Sequence, residues 1–208
     1  MEDGMMTDAE LLERSRARRE EALSIMGALG FMGHWSAHGR PVLVGAVAHD
    51  LVWGPDIDLE VYCPALRVED GFAVLAACSA GAVDGRYRVV GAEYGNFLQE
   101  ADAALYWRLR ILTHGGTEWK VDMWSADEGY SLPRGEHLVT PLRNAMTHEM
   151  RLAILRLKAL REQGMAPDCL SIDLYRAVIT DGVRTADELR AWMDGRALGV
   201  LTDWCPAM

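Results

Sequence analysis

One six-residue stretch, Asp56-Ile57-Asp58-Leu59-Glu60-Val61, constrains this chain more than any other part of it. Acidic and aliphatic residues alternate, which is the period of a β-strand. Asp56, Asp58 and Glu60 therefore share one face, and Ile57, Leu59 and Val61 share the other. The aliphatic face must be the core side of a sheet. Carboxylates lined up on the opposite face repel one another and raise each other's pKa, a cost that a cation bound among them removes. Oxygen-only ligands select a hard divalent ion, Mg2+ or Mn2+, over zinc. A second segment repeats the pattern, with Glu118, Lys120 and Asp122 alternating with Trp119, Val121 and Met123. Laid beside the first, it brings Asp122 to Asp56 and Asp58. The plainer alternatives are a solvated strand start after Pro55, and an Asp122 paired with Lys120 or an arginine.

The rest of the chain supplies the setting for such a sheet. Thr7 and Glu10 stand at capping-box spacing and open a helix reaching Leu29, with Gly30 and Gly33 ending it. Pro41 to Ala46 and Asp56 to Tyr62 read as strands, and Glu69 to Ala80 as a helix. Strand segments follow at Arg86 to Val90, Ala104 to Leu112 and Thr117 to Trp124, the last two joined as a hairpin by Thr113-His-Gly-Gly116. After Pro133 the apolar period lengthens to three or four residues. Thr140 and Pro141 are expected to start a helix running through Leu142, Met146, Met150, Ala153, Leu157 and Leu160 to Gly164. Two more helices follow, at about Asp168 to Thr180 and after the capping box Thr185-x-x-Glu188. The fold class is α+β: a mixed sheet flanked by helices over residues 1–135, then a helical region over 136–208, with the linker in 131–140.

With 31 acidic and 21 basic residues the net charge is −10, which argues against nucleic acid as a partner. Only Lys120 and Lys158 are lysines. Cys63, Cys78, Cys169 and Cys205 are too scattered for a zinc ribbon or dithiol motif and suit a reducing compartment. The charged start of the chain and the absence of a long apolar run predict a cytoplasmic protein with no membrane span.

Val42-Leu43-Val44 leads into Gly45-Ala46, where a residue without a side chain lets backbone amides approach a phosphate. Gly45-Ala46, Asp56-Ile-Asp58 about ten residues on, and Asp122 in a later strand together resemble the nucleotidyltransferase superfamily with the DNA polymerase β-like fold, over roughly residues 20 to 125. That superfamily includes antibiotic and minimal nucleotidyltransferases. The resemblance implies metal-dependent transfer of a nucleoside monophosphate from an NTP, with ATP the expected donor, to a hydroxyl of a small-molecule acceptor. Asp56, Asp58 and Asp122 would be the metal ligands and catalytic residues, Asp122 also the general base, and Gly45 and Ala46 would lie at the nucleotide. The pattern departs in two places: Ala46 replaces a serine that helps hold phosphates, and Ala48-His49-Asp50 lacks a later glycine. Those departures motivate an alternative, a catalytically degenerate member serving as a binding or antitoxin-like regulatory module.

Other residues are read more plainly. Arg108 and Arg110 share a strand face and could hold a triphosphate or balance the carboxylates. Glu60 reads as the outer end of a solvated face, His49 as a solvated loop residue, and His34 and His38 as structural or surface residues. Arg151, Lys158 and Arg161 read as solvated helix charge, and Trp53 as either a ring-stacking residue or a cover over the sheet.

Overall fold

Local sequence signals set the ends of several elements in the computed structural model, which describes residues 6–81, 85–199 and 202–206. Thr7 and Glu10 form the capping box of α1 (Asp8–Leu29), and Gly30 ends it with a left-handed φ of 65°. Gly33 lies inside α2 (Phe31–Ser36) rather than at a helix end. There follow β1 (Arg40–Val44), the single turn α3 (Gly45–Ala48), β2 (Asp56–Cys63), α4 (Val68–Gly81), β3 (Tyr87–Asn96), β4 (Leu105–Thr113) and β5 (Glu118–Asp127). β3 extends beyond the expected Val90 through a bulge at Val89/Gly91. Gly91 and Gly95, which weaken the strand signal, make room for the Arg110 guanidinium and the Phe97 ring.

The strands form one mixed sheet in the order β1-β2-β5-β4-β3, with β2 and β5 parallel and the other neighbours antiparallel. This is the α+β architecture expected. Ile57, Leu59, Val61, Trp107, Leu109, Trp119 and Val121 fill the inner face against α1, α2 and α4. Each such side chain contributes about 1.5–3 kcal/mol by leaving water. The outer face carries the charged residues.

The C-terminal part is helical in four described pieces, α5 (Glu136–Ala145), α6 (His148–Glu162), α7 (Ser171–Thr180) and α8 (Ala186–Met193). The single helix expected from Thr140 is two. Met146 leaves the helical region at ψ 110°, and Thr147 caps α6 by accepting from the Met150 N–H. Thr140 and Pro141 lie inside α5, not at its start. The carbonyl of His137, to which residue 141 has no N–H to offer, accepts from Cys205 Sγ instead. Residues 136–140, expected as linker, are already α5. Leu142, Ile154, Leu157, Leu174, Val178, Leu189 and Trp192 form a second core that also takes in Leu51. A smaller cluster of Leu11, Trp53, Leu155 and Ala159 joins α1 to α6. Trp53 is thus a strut: its indole N–H donates to Glu162, and the Arg14 guanidinium lies 4.0 Å over its ring. No described helix is long and apolar enough to cross a membrane.

Candidate metal centre

Because side chains in register on neighbouring strands share a face, a single row crosses all five strands: Val44, Asp58, Asp122, Arg108 and Glu93. Asp56 lies two residues before Asp58 on the same face. One ligand atom from each of Asp56, Asp58 and Asp122 falls within 4.8 Å of the others. The sequence pattern allowed this convergence if the two strands lay side by side, and the parallel pairing of β2 with β5 produces it.

The environment of these carboxylates is costly without a cation. Burial, Asp56 and Asp122 push the Asp58 carboxyl up to about 7. Burial also raises Asp56, against the pull of Lys120 at 3.3 Å. Asp56 Oδ1 is buried with no hydrogen-bond partner among the described residues. An orphaned carboxylate oxygen beside two other acids is what a hard divalent ion satisfies, so the residues fit the ion.

Gly45 follows β1 at φ 65° and faces Asp58 so closely that a β-carbon there would lie 2.8 Å from Asp58 Cγ. The glycine absent from Ala48-His49-Asp50 is replaced in conformation: Asp50 takes φ 59°, alone among described non-glycine residues at positive φ. Aspartate tolerates that region better than most residues, and here Arg151 bonds both its carboxylate and its carbonyl.

Arg108, Arg110 and His38 fit readings the sequence offered, whereas Glu60, His49 and Lys158 depart from theirs. Arg108 clasps Asp122 with two prongs, Nε to Oδ1 at 2.6 Å and Nη2 to Oδ2 at 3.1 Å, while the Tyr106 hydroxyl donates to Oδ1 at 2.7 Å. Asp122 is therefore both a member of the triad and the partner of an arginine. Arg110 pairs with Glu118. Glu60 is not solvated; it is 7% exposed and accepts from the Gly135 and Glu136 N–H groups. It caps α5, whose own N-cap residue is a glycine. His49 is also buried, edge-on to Tyr175, with Nδ1 unpartnered, and burial beside Lys158 and Arg143 lowers its pKa to about 4. Lys158 is 4% exposed, and its ammonium donates to the Leu51 carbonyl at 2.8 Å and the Tyr175 hydroxyl at 3.0 Å. His38 pairs with Asp70.

A sequence signal for two of these existed. The hairpin turn centres on residue 115, which sets Arg108 opposite Asp122 by symmetry. In a chain with 21 basic residues, both lysines act on the Asp58 carboxyl.

No protein-family model and no curated protein matches the chain. Among solved structures it is similar to a cytoplasmic RNA terminal U-transferase at 12% identity, with a TM-score of 0.49, over 78% of this chain and 46% of that one. It is similar likewise to Cid1, described as an RNA terminal uridylyl transferase, at 12% identity and a TM-score of 0.49, over 82% of this chain and 50% of that one. The chain spans half or less of the length of these proteins.

Proposed function

We propose that the chain is a nucleotidyltransferase of the DNA polymerase β-like superfamily. It transfers a nucleoside monophosphate from an NTP, with ATP the expected donor, to a hydroxyl of a small-molecule acceptor. The observation that carries this reading is the convergence of Asp56, Asp58 and Asp122, with Asp56 Oδ1 buried and unpartnered. These three residues would hold the Mg2+ or Mn2+. When bound, such ions lower the pKa of an attacking hydroxyl and neutralise the departing pyrophosphate.

The chain's own residues do the positioning. Gly45 leaves the space before Asp58 free of side chain, and Ala46 supplies a backbone amide without the usual hydroxyl. Lys158, a buried ammonium with no ion pair among the described residues, suits a phosphate oxygen. Residues 1–135 would carry the site, and residues 136–208 contribute Lys158 to it. A small acceptor is favoured over a polyanion because the basic residues beside the triad are already engaged. Lys120 pairs with Asp56, Arg108 with Asp122, and Arg110 with Glu118.

Incubation with labelled nucleoside triphosphates, Mg2+ or Mn2+, and a panel of hydroxylated acceptors including an oligoribonucleotide tests the reading. A labelled small-molecule product is expected. Failure of both metal and triphosphate to bind at millimolar concentration would overturn it. Ala46 favours a second reading, a degenerate regulatory module. Calorimetric Mn2+ binding that disappears in Asp58→Ala would argue against that.

A further inference from the structure

Arg108 stands on the central row of the sheet between two carboxylates, Asp122 on β5 and Glu93 on β3, in register with both. Its Nε and Nη2 hold Asp122, and its remaining Nη1 reaches Glu93 Oε2 at 3.3 Å. With Tyr106 also donating to Oδ1, that oxygen has both lone pairs occupied, and Oδ2 keeps one for a further ligand. A divalent ion taking that lone pair would sit beside the guanidinium, and like charges oppose each other there. Among the described residues Asp56 and Asp58 have no such clasp, and one oxygen of Asp56 has no hydrogen-bond partner.

We propose that Arg108 is a latch on the third carboxylate, one that moves toward Glu93 when an ion takes Asp122. The inference rests on the metal reading above and adds an order to it. Asp56 and Asp58 fill first, and Asp122 takes its ion as its arginine is released. Arg108 is in this sense a positioning residue acting through Asp122. Glu93, with half of its side chain exposed, is the alternative partner that gives the latch its second position.

Mn2+ alone, titrated into the full chain and followed by the electron paramagnetic resonance of the free ion, separates the two binding steps. The wild-type protein should show a first ion and a much weaker second. In Arg108→Gln the second ion should tighten by roughly tenfold to a hundredfold, the worth of charge-assisted hydrogen bonds released. In Glu93→Gln it should weaken several-fold, and that exposed substitution leaves the fold intact. Arg108→Lys separates a latch from mere charge: it keeps the charge but loses the two-pronged hold, so the second ion should still tighten. If Arg108→Lys binds both ions as the wild type does, or Arg108→Gln leaves the second unchanged, the latch is refuted while the metal centre stands. Absence of Mn2+ binding in every variant would remove both.

Discussion

Gly45 and Asp58 meet where β1 ends against β2, and the glycine's missing side chain is the space in front of the carboxylate. Substituting Gly45→Ala imposes two costs at once, a β-carbon 2.8 Å from Asp58 Cγ and a side chain at φ 65°. The backbone term alone is about 1 kcal/mol, and the contact adds to it unless the carboxylate turns away. We expect a loss of roughly 1–3 kcal/mol in denaturant unfolding together with at least tenfold weaker Mn2+ binding. Unchanged metal affinity in a folded Gly45→Ala protein would show that Asp58 is not a ligand.

Asp58→Asn should separate stability from activity. The wild-type carboxylate is half-buried beside Asp56 and Asp122, so its charge opposes folding in the absence of a cation. Neutralising it should raise the melting temperature of the metal-free protein at pH 8 by several degrees, corresponding to roughly 1–2 kcal/mol. Nucleotidyl transfer should fall on the order of a thousandfold. Calorimetry and a product assay on one preparation check both. A melting temperature that drops would mean the carboxylate makes a favourable contact in the metal-free fold.

The pH dependence follows from the same group. The folded-state value of Asp58 is about 7, against an ordinary 3.8, so the folded chain binds this proton more tightly than the unfolded one. Its contribution to stability is therefore fully present below about pH 4. It is lost as pH rises toward 7, with no further loss above that. In EDTA, thermal stability should decline from pH 5 to pH 7 through this group. With Mn2+ the ion takes the proton's place, so the decline should flatten or reverse. Apparent Mn2+ affinity should rise by up to about tenfold per pH unit below 7 and then level. A metal affinity independent of pH between 5 and 8 would contradict the assignment.

Much of this site was readable before any coordinates, for a specific physical reason. A strand has a period of two, so Asp56-Ile57-Asp58 declares which side chains face inward without reference to the rest of the fold. The hairpin turn at residues 113–116 likewise sets the register of β4 on β5. Residues whose role depends on contacts distant in sequence were not readable. Glu60 looks like a solvated acid until the start of α5 is brought to it across 75 residues. His49 and Lys158 look like surface charge until α6 and α7 close on the segment after α3. Thr140-Pro141 carried a valid helix-start signal, but α5 starts earlier because Glu60 caps it from β2, a device no local pattern records.

That cap can be tested independently of chemistry. Glu60→Ala leaves the Gly135 and Glu136 N–H groups without their acceptor. The expected cost is about 1–3 kcal/mol in urea unfolding. Mn2+ affinity should change less than threefold by the same calorimetry, within the scatter of indirect effects. A tenfold loss of metal binding would instead put Glu60 among the ligands.

Lys158 offers the sharpest separation of nucleotide from metal. An ammonium this deeply buried is expensive, and it donates to two neutral acceptors, the Leu51 carbonyl and the Tyr175 hydroxyl, with no ion pair among the described residues. On the proposed reading its third proton is directed to a phosphate oxygen. Lys158→Met keeps the length and removes the charge. The two acceptors lose their donor, while the desolvation cost of the ammonium disappears, so these effects oppose each other and the melting temperature should move by only a few degrees. Affinity for a non-hydrolysable triphosphate should fall at least tenfold, the range of a single charge-assisted hydrogen bond. Affinity for Mn2+ alone should hold or increase, because a positive charge has left the vicinity of Asp58. Should triphosphate binding persist at wild-type strength in a folded Lys158→Met protein, the lysine is a strut between the segment after α3 and α7, and the phosphates lie elsewhere.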